Sequence, residues 1–161
     1  MIRIGVTGHS NLSAESTELV LDGLRAALEP HAGDGLHGVT CLAAGADQIF
    51  ARAILSLGGQ YDVILPAPDY RENVVKPDNL ADFDALIATA GDVQFMPFEI
   101  SGREAYMAAS EALVTQSDRL LAVWDGKPSG GHGGTADVVA HARHVGVPVE
   151  VIWPTGTRRR S

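Results

Sequence analysis

The first strand pattern of the chain is the stretch Ile2-Arg3-Ile4-Gly5-Val6-Thr7-Gly8, which is short, rich in β-branched residues and bounded by glycine. Such a run predicts a buried β-strand. Over residues 14–30, apolar residues recur at three-to-four spacing, which predicts an amphipathic helix, and Ser13 is the expected N-cap. A strand followed directly by a helix is the first half of a βαβ unit.

The same alternation continues along the rest of the sequence. Apolar runs predict further strands over residues 38–43, 61–65, 93–98, 120–124 and 147–153, and helical patterns lie between them, over 45–57, 78–90, 103–116 and from 135 onward. Strands that alternate with helices of this length imply right-handed crossovers and a sheet covered on both faces. The sequence therefore predicts an α/β fold, a three-layer doubly wound Rossmann-like sandwich with a mostly parallel sheet of about six strands.

Length and composition indicate one domain. The chain has 161 residues, of which 45% are apolar, enough for a single core over residues 1–154. Residues 155–161 are predicted to form a loose basic tail with arginine at positions 158, 159 and 160.

The net charge and the cysteine count limit the classes of partner and of structural site that we expect. Twelve basic residues against 20 acidic ones give a net charge of -8, and an acidic surface repels phosphate backbones, so no nucleic-acid partner is expected. No signal-peptide pattern and no apolar run of about 18 residues occurs, so we expect a cytoplasmic chain without membrane contact. Cys41 is the only cysteine, which excludes an internal disulfide and a cysteine-rich zinc site.

Ligands of doubly wound sheets bind beyond the carboxyl ends of the strands. Four segments that follow predicted strands are candidates for this rim: residues 7–10, 44–47, 66–71 and 125–137. We expect all four to lie at one edge of the sheet.

The segment before the last helix carries the strongest signal. Its glycines, Gly130, Gly131, Gly133 and Gly134, allow a ligand to approach the backbone, and the free N–H groups of the helix that Thr135 begins attract anions. A phosphate is the expected occupant, and Asp137 could bond ribose hydroxyls. The alternative is a surface loop in which Asp137 only complements the helix dipole.

The first and second rim segments add further ligand-binding candidates. Thr7, Gly8 and His9 follow the first strand, and Gly45 and Asp47 open the second helix. His9 is either a donor to the ligand or a solvated loop residue, and Asp47 is either a sugar contact or an ordinary helix-start acid. In the third segment, Tyr70 could stack on a base.

Several familiar sites are absent from the sequence. The first turn lacks the third glycine of a dinucleotide fingerprint, and no glycine-lysine-serine/threonine motif of a P-loop is present. His141 and His144 could share a metal, but a solvated helix face is favoured because no further ligand lies nearby in sequence. No metal and no cofactor are predicted.

Four motifs together resemble the SLOG superfamily, which is related to the Lonely Guy (LOG) cytokinin-activating phosphoribohydrolases and to DprA-type Rossmann domains. They are Ile4-Gly5-Val6-Thr7-Gly8-His9, Ala43-Ala44-Gly45-Ala46-Asp47, Ser117-Asp118 and Gly133-Gly134-Thr135-Ala136-Asp137. The resemblance implies a Rossmann-like sheet, a nucleotide or nucleotide-derived ligand over the glycine loop and, often, a homodimer.

The resemblance also exposes a departure. LOG enzymes cleave an N-glycosidic bond with an arginine and a glutamate whose positions fall here on Ala109 and Val138. The alanine and valine side chains at these two positions cannot act as an acid or a base in such a cleavage. The leading hypothesis is therefore a domain that binds and senses a nucleotide-like small molecule. The alternatives are a nucleoside-monophosphate N-glycosidase in which Asp137 is catalytic, and a structural or partner-binding domain without a ligand.

Overall fold

The computed structural model describes residues 1–129 and 134–160. It confirms the predicted α/β sandwich with a sheet of six parallel strands. The strands are β1 (Arg3–Gly8), β2 (His37–Thr40), β3 (Gln60–Leu65), β4 (Val93–Phe95), β5 (Arg119–Val123) and β6 (Val149–Val151). Their order in the sheet is β4-β3-β2-β1-β5-β6.

Five of the six α-helices in the described residues lie where the apolar periodicity predicts them, and the exception is the short helix at Tyr70–Asn73. The six are α1 (Ser16–Leu28), α2 (Ala46–Ser56), α3 (Tyr70–Asn73), α4 (Leu80–Thr89), α5 (Arg103–Thr115) and α6 (Thr135–His144), with two 3-10 helices at Glu29–Asp34 and Pro77–Asn79. The predicted cap is wrong. Helix α1 begins at Ser16, and the Ser13 hydroxyl bonds to the Ser16 hydroxyl at 2.7 Å rather than to the helix backbone.

Each face of the sheet has its own core, as the alternation of side chains along a strand requires. On β5, Leu121 and Val123 pack into the core formed with α1, α2 and α4, whereas Leu120 packs into the core formed with α5 and α6. Within the described residues, no helix is long and apolar enough to cross a membrane.

Strand β1 lies at the point where the chain changes direction. From β1 the chain moves through β2 and β3 to the edge strand β4, and it then returns to place β5 on the other side of β1. Such a topological switch point leaves a crevice at the carboxyl ends of the central strands.

The C-terminal segment is not loose as predicted. The Ser16 hydroxyl accepts a hydrogen bond from the Arg158 N–H at 2.7 Å and donates one to the Arg158 carbonyl at 3.1 Å. The Ser13 N–H donates to the same carbonyl, and the Arg160 N–H donates to the Asn11 carbonyl. These backbone bonds hold the segment along the loop that follows β1.

Candidate functional site

A pocket of about 630 Å³ opens at the switch point. Its walls come from the loops that follow β1, β2, β3 and β5, from α5, and from the C-terminal segment. The four predicted rim segments therefore meet at one cavity, because parallel strands bring their carboxyl ends to one edge.

Most of the predicted ligand-binding residues that the structure describes line this pocket. They are Thr7, Gly8, His9, Asp47, Gly134 and Thr135. Gly45 and Asp137 are not among its lining residues. Gly130, Gly131 and Gly133 lie outside the described residues.

Gly8 and Gly45 serve close packing of the protein on itself. A Cβ at Gly8 would lie 2.5 Å from the Cβ of Ala46, and one at Gly45 would lie 2.7 Å from the His9 carbonyl oxygen. Gly45 also has a φ of +86°, in the region that favours glycine. The two glycines therefore let the start of α2 contact the end of β1.

His9 is held by the protein. Its Nε2 accepts a hydrogen bond from the Asp125 N–H at 3.2 Å, and its ring packs edge-on against Trp153 at 5.7 Å. Burial and the nearby Arg159 lower the pKa of His9, against the opposing effect of the Asp125 carboxylate. The ring is therefore neutral at physiological pH and joins the loops after β1 and β5.

Two cations lie on the β5 side of the pocket, and sequence reasoning assigned neither to the site. Lys127 and Arg159 both line the cavity. The Arg159 guanidinium donates to Asn11 Oδ1 at 2.9 Å and lies 3.4 Å from Asp125 Oδ2. Lys127 follows β5 closely, which is a usable signal, but no local pattern marks Arg159.

The start of α6 lies on the same side. Gly134, Thr135 and Ala136 line the pocket, and no described side chain caps the helix. Asp137 accepts a hydrogen bond from the Ser129 hydroxyl at 3.2 Å. The part of the helix terminus that borders the cavity is thus backbone and small side chains, which suits an anion.

On the opposite, β2 side, Asp47 is the charged residue among the described residues that line the pocket. This residue is 7% exposed, and its Oδ2 accepts a hydrogen bond from the Ala43 N–H at 3.2 Å. Burial raises the pKa of Asp47 to about 7, although the Ala43 hydrogen bond acts in the other direction. Burial and the Asp47 charge also raise the pKa of its neighbours Cys41 and Tyr70.

An aromatic wall adjoins Asp47. Tyr70 is only 6% exposed because its ring packs against Phe83 and Tyr106, with centroids 5.9 and 6.4 Å away. Tyr106 on α5 is 37% exposed and also lines the cavity. Tyr106, which no sequence motif marks, therefore offers more ring surface to a ligand than Tyr70.

The two positions that correspond to the LOG catalytic pair both line the pocket. Ala109 projects from α5 and Val138 from α6, and both are nearly fully buried. The two positions therefore lie at one cavity, and neither carries the arginine or the glutamate that the resemblance implies there.

No protein-family model matches the chain, and no curated protein matches it either. Solved structures do share its fold. TM1055 superposes with a TM-score of 0.60 at 19% identity, over 92% of this chain and 72% of that one. DNA processing protein A (DprA) from Helicobacter pylori gives 0.66 at 18% identity, over 93% and 64%. The molybdenum cofactor carrier protein from Chlamydomonas reinhardtii gives 0.58 at 18% identity, over 93% and 75%.

These likenesses confirm the Rossmann-like fold that the SLOG resemblance implies, and DprA is one of the relatives named in that resemblance. The chain spans less than two thirds of the Helicobacter pylori DprA chain.

The expectation that the chain has no nucleic-acid partner is wrong. The exclusion of a nucleic-acid partner rested on net charge, yet the Helicobacter pylori DprA, which shares the fold, has a described single-stranded DNA binding mode. Net charge is a sum over the whole surface and does not describe a local site.

Proposed function

We propose that the switch-point pocket binds a nucleotide-derived small molecule, with the phosphate on the β5 side and the base on the β2 side. The observation that carries the proposal is that two opposite sides of the cavity differ in chemistry. Lys127, Arg159 and the start of α6, which no described side chain caps, border one side, and Tyr106 and Asp47 border the other.

The dimensions support this orientation. Strands β2 and β5 flank β1, so their ends are two strand spacings apart, roughly 10 Å. A nucleoside monophosphate carries its aromatic ring and its dianion at opposite ends of a ribose. The phosphate then meets two cations and helix N–H groups, and the base meets an aromatic ring and a hydrogen-bonding side chain.

We further propose that the domain binds this ligand without cleaving it. Ala109 and Val138 occupy the positions where LOG enzymes carry their arginine and glutamate, and Asp137, the predicted replacement, does not line the cavity. A bound nucleotide would therefore lack a carboxylate at the anomeric carbon from this helix.

The test is calorimetry with AMP, GMP, CMP, UMP and ADP-ribose, together with an assay for released base. The chain provides matched controls, because Lys76 and Arg158 are its other lysine and an adjacent arginine, and neither lines the pocket. We expect Lys127→Ala with Arg159→Ala to weaken binding roughly 10- to 100-fold for each charge-assisted hydrogen bond that the substitution removes. Lys76→Ala with Arg158→Ala should leave affinity within about twofold.

A double variant that binds as tightly as its control would refute the phosphate site. Release of base by the wild type would instead support the N-glycosidase alternative, and Asp137→Ala would show whether that carboxylate takes part. Failure of every nucleotide to bind would leave the structural-domain hypothesis.

A second candidate ligand is single-stranded DNA, which the likeness to the Helicobacter pylori DprA fold favours. The same phosphate site would take a backbone phosphate in place of the nucleotide's own. A thymidine oligonucleotide in the same titration separates the two. Tight binding of the oligonucleotide that falls steeply with salt, without binding of any mononucleotide, would favour DNA.

A further inference from the structure

The Asp47 carboxyl group has one oxygen that the protein does not use. Oδ2 accepts the Ala43 N–H, whereas Oδ1 makes no hydrogen bond and no ion pair with any residue of the described segments. The side chain is only 7% exposed, yet it lines the pocket. Because this oxygen is not among the fully buried atoms and the pocket adjoins it, a ligand that donates a hydrogen bond to it gains a charge-assisted bond.

Within the part of the chain that the structure describes, no positively charged donor faces Asp47. Cys41 follows β2 and Tyr70 begins α3, and the pKa of both is raised, so both stay neutral across the physiological range. His9, on the loop packed against the start of α2, is neutral and bonded to Asp125. Neither pocket cation pairs with Asp47: Lys127 follows β5, Arg159 is paired with Asp125, and no basic group contributes to the pKa of Asp47.

We propose that Asp47 is the specificity-determining residue of this pocket and selects nucleobases that present an exocyclic amino group over bases that present a carbonyl at that position. This inference rests on the proposed function, because it assumes that a base occupies the β2 side. An ionised carboxylate accepts hydrogen bonds only, so an amino group matches it and a carbonyl oxygen opposes it. Carboxylates accept from base amino groups in the same way in nucleic-acid recognition.

The protonation state of Asp47 makes the selection pH-dependent. The pKa of Asp47 is raised to about 7 by burial. Below that pH the carboxylic acid also donates, so a carbonyl base becomes acceptable. Above it only the acceptor form remains, and the preference for the amino base grows.

The pairs AMP with IMP and CMP with UMP test this directly, because each pair differs at the position where an amino group replaces a carbonyl. Calorimetry at pH 5.5 and pH 8.0 gives the affinity ratio within each pair. Since the phosphate is common to both members, its own titration cancels in the ratio. For the wild type we expect the amino member of at least one pair to bind roughly 10- to 100-fold more tightly at pH 8.0, and the ratio to be much smaller at pH 5.5.

Asp47→Asn supplies the variant. The asparagine carbonyl can still accept the Ala43 N–H, and the amide can either donate or accept toward the base, so we expect the ratio to fall toward 1 at both pH values. Lys127→Ala is the control, because it should weaken both members of a pair equally and leave the ratio unchanged.

Equal affinities within both pairs in the wild type at pH 8.0 would overturn the inference while the proposed function stood, and this result does not depend on whether the variant folds. A ratio in Asp47→Asn equal to that of the wild type at both pH values would overturn it as well. Absence of binding by these four nucleotides, and also by GMP and ADP-ribose, would overturn both proposals.

Discussion

Burial of Asp47 is expected to lower the free energy of unfolding of the ligand-free protein as the pH rises from about 4 to about 7. Replacing Asp47 by asparagine is expected to remove this pH-dependent loss. The pKa of Asp47 is about 7 in the folded chain, because burial disfavours the charged form, against an ordinary value of 3.8. The folded state therefore holds a proton that the unfolded state has already released. The contribution of this carboxyl group to the free energy of unfolding is fully present below pH 3.8, decreases between pH 3.8 and about pH 7, and is lost above about pH 7.

The size of the effect follows from those two values. Since each pKa unit corresponds to about 1.4 kcal/mol, the interval from 3.8 to about 7 corresponds to about 4 kcal/mol. Asp47 is 7% exposed, so solvent screening removes little of this energy. A domain of this kind has a free energy of unfolding of about 5–15 kcal/mol, so the loss is a large fraction of the total.

Urea denaturation of the wild type and of Asp47→Asn, at half-unit steps from pH 4 to pH 8, measures it. All other titrating groups are shared, so the difference between the two curves isolates position 47. We expect the variant to gain stability relative to the wild type by roughly 1.4 kcal/mol per pH unit up to about pH 7, and to gain nothing further above it. A difference that stays constant over the whole range would show that the carboxyl group titrates normally and would refute the burial argument.

Two further predictions concern the packing around the pocket. Ser16→Ala removes both hydrogen bonds to Arg158, so the free energy of unfolding should fall by about 1–3 kcal/mol, and an unchanged urea midpoint would contradict the docking of the C-terminal segment. Gly8→Val places a Cβ 2.5 Å from the Cβ of Ala46, so the free energy of unfolding should fall by at least about 1–3 kcal/mol. Gly33→Val is the control, because a Cβ there meets no atom within 4 Å. In the same urea denaturation experiment it should lower the free energy of unfolding by less than about 1 kcal/mol.

Local patterns in the sequence are sufficient for the element order. The strand pattern of Ile2–Gly8 and the period near 3.6 in residues 14–30 each depend on neighbours a few positions apart, and both elements occur as predicted. The same logic brings the rim segments together, because parallel strands share a carboxyl edge. Residues such as Thr7, Asp47 and Thr135, predicted from three separate segments, therefore line one pocket.

The roles within the site required the tertiary structure. By sequence His9 is a candidate donor, but its ring accepts a hydrogen bond from Asp125, which lies 116 positions away. Asp47 could not be distinguished from an ordinary helix-start acid until its burial and its unused oxygen were known. Both properties depend on which side chains surround the residue, and the sequence around it does not contain that information.

The sequence by itself determined the α/β class and the sheet edge at which the candidate pocket lies, because these follow from residue type and short-range periodicity. The resemblance to LOG enzymes adds that positions 109 and 138 lack the arginine and the glutamate of those enzymes. Only the tertiary structure decided that Arg159 belongs to the pocket. Its place depends on backbone hydrogen bonds between the C-terminal segment and the loop after β1, such as the one that the Arg160 N–H donates to the Asn11 carbonyl, 149 positions away. Backbone N–H and C=O groups are the same at nearly every residue, so their long-range pairing leaves no mark in the side-chain pattern.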